Sequence, residues 1–105
     1  VASIKNNKII KIEEKPQLID ESYENYAITG LYKFDYKFFE YFARSQPSPR
    51  GEYEITDILK MYLEDGCLNY QTINTYWGDA GTIDNLNYLN YRLYNKSQHE
   101  NTDPR

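Results

Sequence analysis

The stretch KIIKIEEKP, residues 8–16, decides how the chain is read. It is rich in β-branched isoleucine and closes on Pro16, which has no N–H to donate to a ladder, so it predicts a strand ending at that point. Alternation puts Ile10 and Ile12 on one face with Glu14, and Ile9 and Lys11 on the other with Glu13. Just upstream, VASIK (residues 1–5) is a second apolar run. Asn6-Asn7 joins the two, and because asparagine tolerates positive φ the pair predicts a β-hairpin. At the downstream end, Glu14 and Lys15 point to opposite faces of a regular strand. For both to meet one ligand, the backbone has to leave strand geometry at Lys15, next to the restricting ring of Pro16. A carboxylate that accepts hydroxyl bonds beside a compact ammonium suits a hydroxyl-rich anion. The plain alternative is an exposed, charged strand end.

Working outward, residues 17–24 are polar and predict a loop. NYAITGLYKF, residues 25–34, predicts a buried strand with Gly30 as a bulge or a point of close approach. Asp35 is placed to cap a helix carrying Phe38, Phe39 and Phe42. SQPSPRG, residues 45–51, is a loop. From Glu54, the spacing of Ile55, Ile58, Leu59, Tyr62 and Leu63 predicts an amphipathic helix, which Gly66 ends in the left-handed conformation. CLNYQTI, residues 67–73, alternates weakly as a strand does, and WGDAGT, residues 77–82, is a tight loop. Thr82 caps a last helix with Leu86, Leu89 and Leu93 on one stripe. The expected organisation is one α/β unit over residues 1–96, a mixed sheet with flanking helices that looks incomplete, and a polar, frayed tail over 97–105.

With 105 residues the chain has the length of one domain. Twelve basic against 16 acidic side chains leave a net charge of −4, which argues against general nucleic-acid binding. No run is long and apolar enough to span a membrane. A single cysteine, Cys67, cannot close an internal disulfide and fits a reducing, cytoplasmic compartment. With His99 as the only histidine, neither a structural zinc set nor a Ser-His-Asp triad is expected. The chain opens on Val-Ala-Ser without a methionine, inside a strand pattern, so it is expected to be part of something longer.

Three more positions carry possible chemistry. Arg50 sits in a Pro/Gly loop, either solvated or able to close onto phosphate about Gly51. Asp79 sits in an Asp-Ala-Gly-Thr turn, where its carboxylate either organises the turn or faces a divalent ion. Trp77, the one tryptophan, reads first as a core residue.

EEKP, NYAITGLYKFD, SPRGEYEITD with KMYLEDG, and WGDAGT occur in that order. Together they resemble the C-terminal half of the sugar-1-phosphate nucleotidylyltransferases, and within them the branch that transfers thymidylyl groups to glucose-1-phosphate. The resemblance runs from Val1 to Tyr94. It implies part of a Rossmann-like nucleotidyltransferase fold and an enzyme that joins a sugar-1-phosphate to a nucleoside triphosphate with Mg²⁺ and releases pyrophosphate. By the same resemblance, Glu14 contacts sugar hydroxyls and Lys15 the sugar phosphate. Ile28, Gly30 and Tyr32 line the sugar pocket, Arg50 contacts phosphate, Trp77 closes the sugar site and Asp79 holds the metal. Lys15 and Arg50 are thus the expected catalytic pair. The family's glycine-rich GGxGTR-type loop for the triphosphate is not in this sequence. The resemblance therefore implies a separate N-terminal nucleotide-binding half, a homo-oligomer when complete, and little activity for this chain alone. Another base or sugar, or a non-catalytic sugar-phosphate-binding half-domain, is the alternative.

Overall fold

The structure is a computed structural model that describes residues 1–101; the last four residues of the expected tail lie outside the described residues. Two compact units divide at Gln71 and Thr72. The first unit opens with β1 (Ala2–Lys5) and β2 (Lys8–Ile12), joined through Asn6 and Asn7 at φ 51° and 59°. Two successive left-handed residues are what a tight hairpin turn requires. A short third strand, β3 (Glu24–Tyr26), pairs on the other side of β1, giving the order β2-β1-β3.

Both strand pairs are antiparallel, so the sheet seen among the described residues is antiparallel where a mixed one was expected. The α/β class holds: the described residues comprise this sheet and three helices. The period-2 reading of β2 also needs correction. Ser3 pairs with Lys11 and Ile4 with Ile9, so Ile10 is an extra residue, a β-bulge. The bulge reverses the alternation: Ile12 is buried and Ile9 half-buried, while Ile10 is 41% exposed. Ser3, buried in the central strand, donates to Asn25 Oδ1 at 2.8 Å, and Asn25 Nδ2 in turn ties down the preceding loop through the carbonyls of Asp20 and Tyr23.

The long strand expected over 25–34 forms only at its start. Its ladder with β1 closes at the Ala2–Tyr26 rung, and residues 27–34 have no partner strand among the described residues. Phe34 turns instead into the helical core. The strand expected at 67–73 is likewise absent, and Leu68 packs half-buried against the same core.

Helix α1 (Lys37–Arg44) follows Asp35, whose carboxylate accepts the Lys37 N–H at 3.1 Å. Of the three phenylalanines it carries, Phe39 and Phe42 are exposed, and Tyr41 is the buried residue. Helix α2 (Ile55–Glu64) packs on β2 on one side and α1 on the other, burying Thr56, Ile58, Leu59 and Tyr62. Gly66 ends it at φ 69°. The centre is Tyr41, Ile58 and Tyr62, with Phe34 and Phe38 around them. The Tyr41 and Tyr62 rings meet edge to face at 4.6 Å. Each buried hydroxyl has a carboxylate: Tyr41 donates to Asp65, and Tyr62 to Asp35 at 2.8 Å.

In the second unit, α3 (Ile83–Asn101) begins where Thr82 Oγ1 accepts the Asn85 N–H at 3.1 Å, as its sequence predicts. The helix runs past Ser97, so the expected polar tail is helical through Asn101. Residues 76–78 lie against it. A Cβ on Gly78 would stand 2.5 Å from Leu89 Cδ2 and 3.1 Å from the Tyr76 hydroxyl, and Arg92 stacks over the Tyr76 ring at 3.8 Å. Among the described residues, no helix is long and apolar enough to cross a membrane.

The two anchored tyrosines set an alkaline limit. The Asp65 bond, then burial, pushes Tyr41 from 10.0 up to about 12. Burial, then the Asp35 bond, pushes Tyr62 from 10.0 up to about 12. From pH 10 to 12 the unfolded chain releases protons that the folded chain keeps, so stability that is full below pH 10 falls across that window. Urea melts at pH 9, 10, 11 and 12 are expected to show this decline, with a shallower slope in Tyr62→Phe. An equal slope in that variant would exclude Tyr62 as a source.

Candidate functional site

After β2 the Glu13 N–H continues the ladder to the Val1 carbonyl at 3.0 Å, and pairing then stops. Lys15 takes φ 41°, in the left-handed region that L side chains adopt at a cost of about 1–2 kcal/mol. The backbone thus leaves strand geometry at Lys15, the departure that a single ligand shared by Glu14 and Lys15 would require. The turn is held from outside: Thr56 Oγ1 donates to Glu14 Oε2 at 2.6 Å. Thr56 is buried in the first turn of α2, so the strand end and the helix start are fixed to one another.

Arg50 lies in the loop that leads into the same helix. Gly51 N–H bonds the Ser48 carbonyl at 2.8 Å and Ser48 N–H the Glu52 carbonyl at 2.8 Å, closing a tight loop. Ser48, Pro49 and Gly51 occupy the positions such a turn favours, with Gly51 at φ 77°. Arg50 Nη2 lies 2.6 Å from Glu54 Oε1 and 3.5 Å from Glu52 Oε2. Glu54 occupies the N-cap position of α2 with extended backbone and makes no capping bond. Its carboxyl is held below the usual range by Arg50 first and by Ser48 next, with Lys15 adding to the field. Arg50 is held protonated by Glu54 and Glu52, and it also feels Glu14.

Tyr32 borders this group. Its hydroxyl is pushed up, by burial first and by the charge of Glu14 second. Its ring stacks on Phe34 at 5.8 Å. Glu14 thus meets the start of α2 through Thr56, and Arg50 meets it through Glu54, while Tyr32 feels the charge of Glu14 and Glu54 that of Lys15. Ile28 is half-buried. Gly30 is exposed, and a Cβ there would have open space, so the expected bulge or close approach does not occur. Thr56 and Glu54 were missed. Both lie inside EYEITD, and the signal available was their place at the predicted N-terminus of the amphipathic helix.

Trp77 and Asp79 belong to the second unit. Trp77 is 47% exposed, which corrects its reading as a core residue. Asp79 Oδ1 accepts the Gly81 N–H at 2.9 Å, the turn-organising role. Among the described residues no three His, Cys, Asp or Glu side chains gather as a metal site.

The strand end is tied to the helix start through Glu14 and Thr56, and Arg50 in the preceding loop is held by Glu54 and Glu52. The chain belongs to the nucleotidyl transferase family, whose model matches residues 1–96. Among curated proteins it is 42% identical over 83 residues to the glucose-1-phosphate thymidylyltransferase of Neisseria meningitidis, covering 77% of this chain and 28% of that protein. It is 43% identical over 83 residues to the enzyme of the same name from Xanthomonas campestris, covering 77% and 27%. The bifunctional protein GlmU of Methanococcus maripaludis is 38% identical over 91 residues, covering 87% of this chain and 22% of that protein. The chain thus spans roughly a quarter of the length of the relatives it matches.

Two substitutions test the geometry. Thr56→Val removes the donor to Glu14 and is expected to cost about 1–2 kcal/mol in denaturant melts. Lys15→Gly relieves the left-handed backbone and, after glycine's added chain entropy, is expected to stabilise by about 0.5 kcal/mol. Clear destabilisation by Lys15→Gly would contradict the assigned backbone strain.

Proposed function

We propose that the chain is the sugar-phosphate-binding part of a sugar nucleotidyltransferase that forms dTDP-glucose and pyrophosphate from dTTP and glucose-1-phosphate. The observation that carries this reading is the left-handed Lys15 beside Glu14, pinned by Thr56 at the helix start, with Arg50 in the loop that leads into it. In the proposed reaction a sugar-phosphate oxygen attacks the nucleotide α-phosphorus and the bond to the β-phosphate breaks, releasing pyrophosphate. Such a transfer needs positioning and charge neutralisation rather than a protein nucleophile. Glu14 accepts sugar hydroxyl bonds through the oxygen that Thr56 leaves open. Lys15 and Arg50 offset the charge brought together by two anionic substrates. Tyr32, Ile28 and Gly30 are the proposed remaining lining of the sugar pocket.

Mg²⁺ is part of the proposal. Asp79 fits one position of its donor set as an exposed, hard oxygen ligand; Mg²⁺ takes one or two carboxylates plus substrate phosphate oxygens. When bound, the ion would neutralise phosphate charge. The triphosphate itself would be held by a glycine-rich, N-terminal nucleotide-binding part. A homo-oligomer when complete and a cytoplasmic setting belong to the same reading. The GlmU relative, which matches more of this chain than the thymidylyltransferases do, favours as a second reading another base or sugar.

Calorimetric titration of this chain is expected to show glucose-1-phosphate binding, with Lys15→Ala weakening it by about tenfold or more through loss of a charge-assisted bond. The chain mixed with dTTP, glucose-1-phosphate and Mg²⁺ is expected to release no pyrophosphate. Turnover by this chain alone would contradict the need for the nucleotide-binding part.

A further inference from the structure

Arg50 is the cation offered to phosphate, yet the protein's own carboxylates already hold it. Glu54 Oε1 is 2.6 Å away and Glu52 Oε2 3.5 Å away. Glu54 is the better placed of the two. Its side chain is 23% exposed against 68% for Glu52, and it stands at the rigid start of α2. A capping side chain would be expected at that helix position, whereas Glu54 makes no capping bond and pairs with Arg50. Glu54 and Glu52 hold Arg50 directly, Arg50 also feels Glu14, and Lys15 acts on Glu54: three carboxylates against two cations. A bare phosphate dianion therefore meets a group that is already more than neutralised, and it has to displace Glu54 to reach the guanidinium.

We propose that Glu54 holds Arg50 against phosphate anions in general, so that free phosphate falls below useful affinity while a phosphate ester whose hydroxyls are also bound still occupies the site. This rests on the reading of the site as a sugar-phosphate site. A sugar phosphate brings hydroxyls to Glu14, and those bonds add to the charge interaction needed to take Arg50 from Glu54. Inorganic phosphate, or the pyrophosphate product, has no such addition. The carboxylate thereby lowers occupation by the small anions that would compete with substrate, at the expense of some affinity for the substrate. Glu54 acts through Arg50, as a positioning residue.

The test is titration of the full 105-residue chain with inorganic phosphate and, separately, with glucose-1-phosphate, followed by amide NMR at fixed ionic strength. Glu54→Gln keeps shape and hydrogen bonding while removing the charge. It is expected to bind inorganic phosphate about fivefold tighter than the parent, near the upper end for an exposed ion pair. Glucose-1-phosphate, which displaces Glu54 from Arg50 in the same way, is expected to gain by a similar factor, its hydroxyl bonds to Glu14 keeping it the tighter ligand in both chains. Arg50→Ala combined with Glu54→Gln is expected to lose the gain. Unchanged or weaker phosphate binding by Glu54→Gln, or no detectable phosphate binding by either chain, overturns the proposal. A gain that persists without Arg50 also overturns it, because removal of charge alone would then suffice. If Glu54→Gln disturbs the amide spectrum as a whole, Glu54→Ser is read in its place against the same criteria. Failure of glucose-1-phosphate to bind the parent chain counts against the sugar-phosphate reading and leaves the phosphate comparison to decide the role of Glu54.

Discussion

The hydrogen bond from Thr56 Oγ1 to Glu14 Oε2 joins residues 42 positions apart, and the arrangement of the first unit depends on it. Without a fixed point at the end of β2, a left-handed lysine before a proline has little to hold it. Local backbone preferences oppose that conformation. The burial of Thr56 in the first turn of α2 supplies the fixed point, and α2 is itself seated on β2. Strain at Lys15 is thus sustained by packing between a strand and a helix. The ammonium that results stands beside Glu14 at the strand end.

The core behind this arrangement is small and aromatic. Tyr41 and Tyr62 fill its centre with rings while Asp65 and Asp35 receive their hydroxyls, so burial leaves neither polar end unsatisfied. Much apolar surface stays outside it: Leu18 is 88% exposed, Leu31 83% and Ile83 78%. A chain that spans roughly a quarter of its relatives' length offers a direct account of such surface, since the rest of a longer fold would cover part of it.

Local chemistry was readable wherever the sequence forces one backbone state. Asn6-Asn7, Gly66 and Thr82 behave as their side chains dictate, and the helix at Ile55 follows from its spacing. The turn at Lys15 was legible only as a condition, that Glu14 and Lys15 serve one ligand, beside the plainer reading of an exposed strand end. Pairing was not readable. The bulge at Ile10 exchanges which isoleucines are buried, and no composition rule announces an extra residue in one strand. NYAITGLYKF has the residues of a strand, but a strand needs a neighbour, and that ladder ends at Tyr26. The second-layer contacts of the site were hidden for a similar reason. Thr56 and Glu54 look like an ordinary helix start until tertiary packing sets them beside Glu14 and Arg50. In WGDAGT, the glycine at 78 answers to Leu89 and the aspartate at 79 to Gly81, so part of that motif is explained by its own turn and helix.

The central claim is that Glu14, Lys15, Arg50 and Thr56 form one site and respond to one ligand. Backbone amide mapping of the ¹⁵N-labelled chain during glucose-1-phosphate titration tests it most directly. The account predicts that the amides of these four residues shift together along a single saturation curve, while those of the hairpin turn at Asn6-Asn7 stay still. Shifts confined to other parts of the chain, or separate saturation at Lys15 and Arg50, would contradict it.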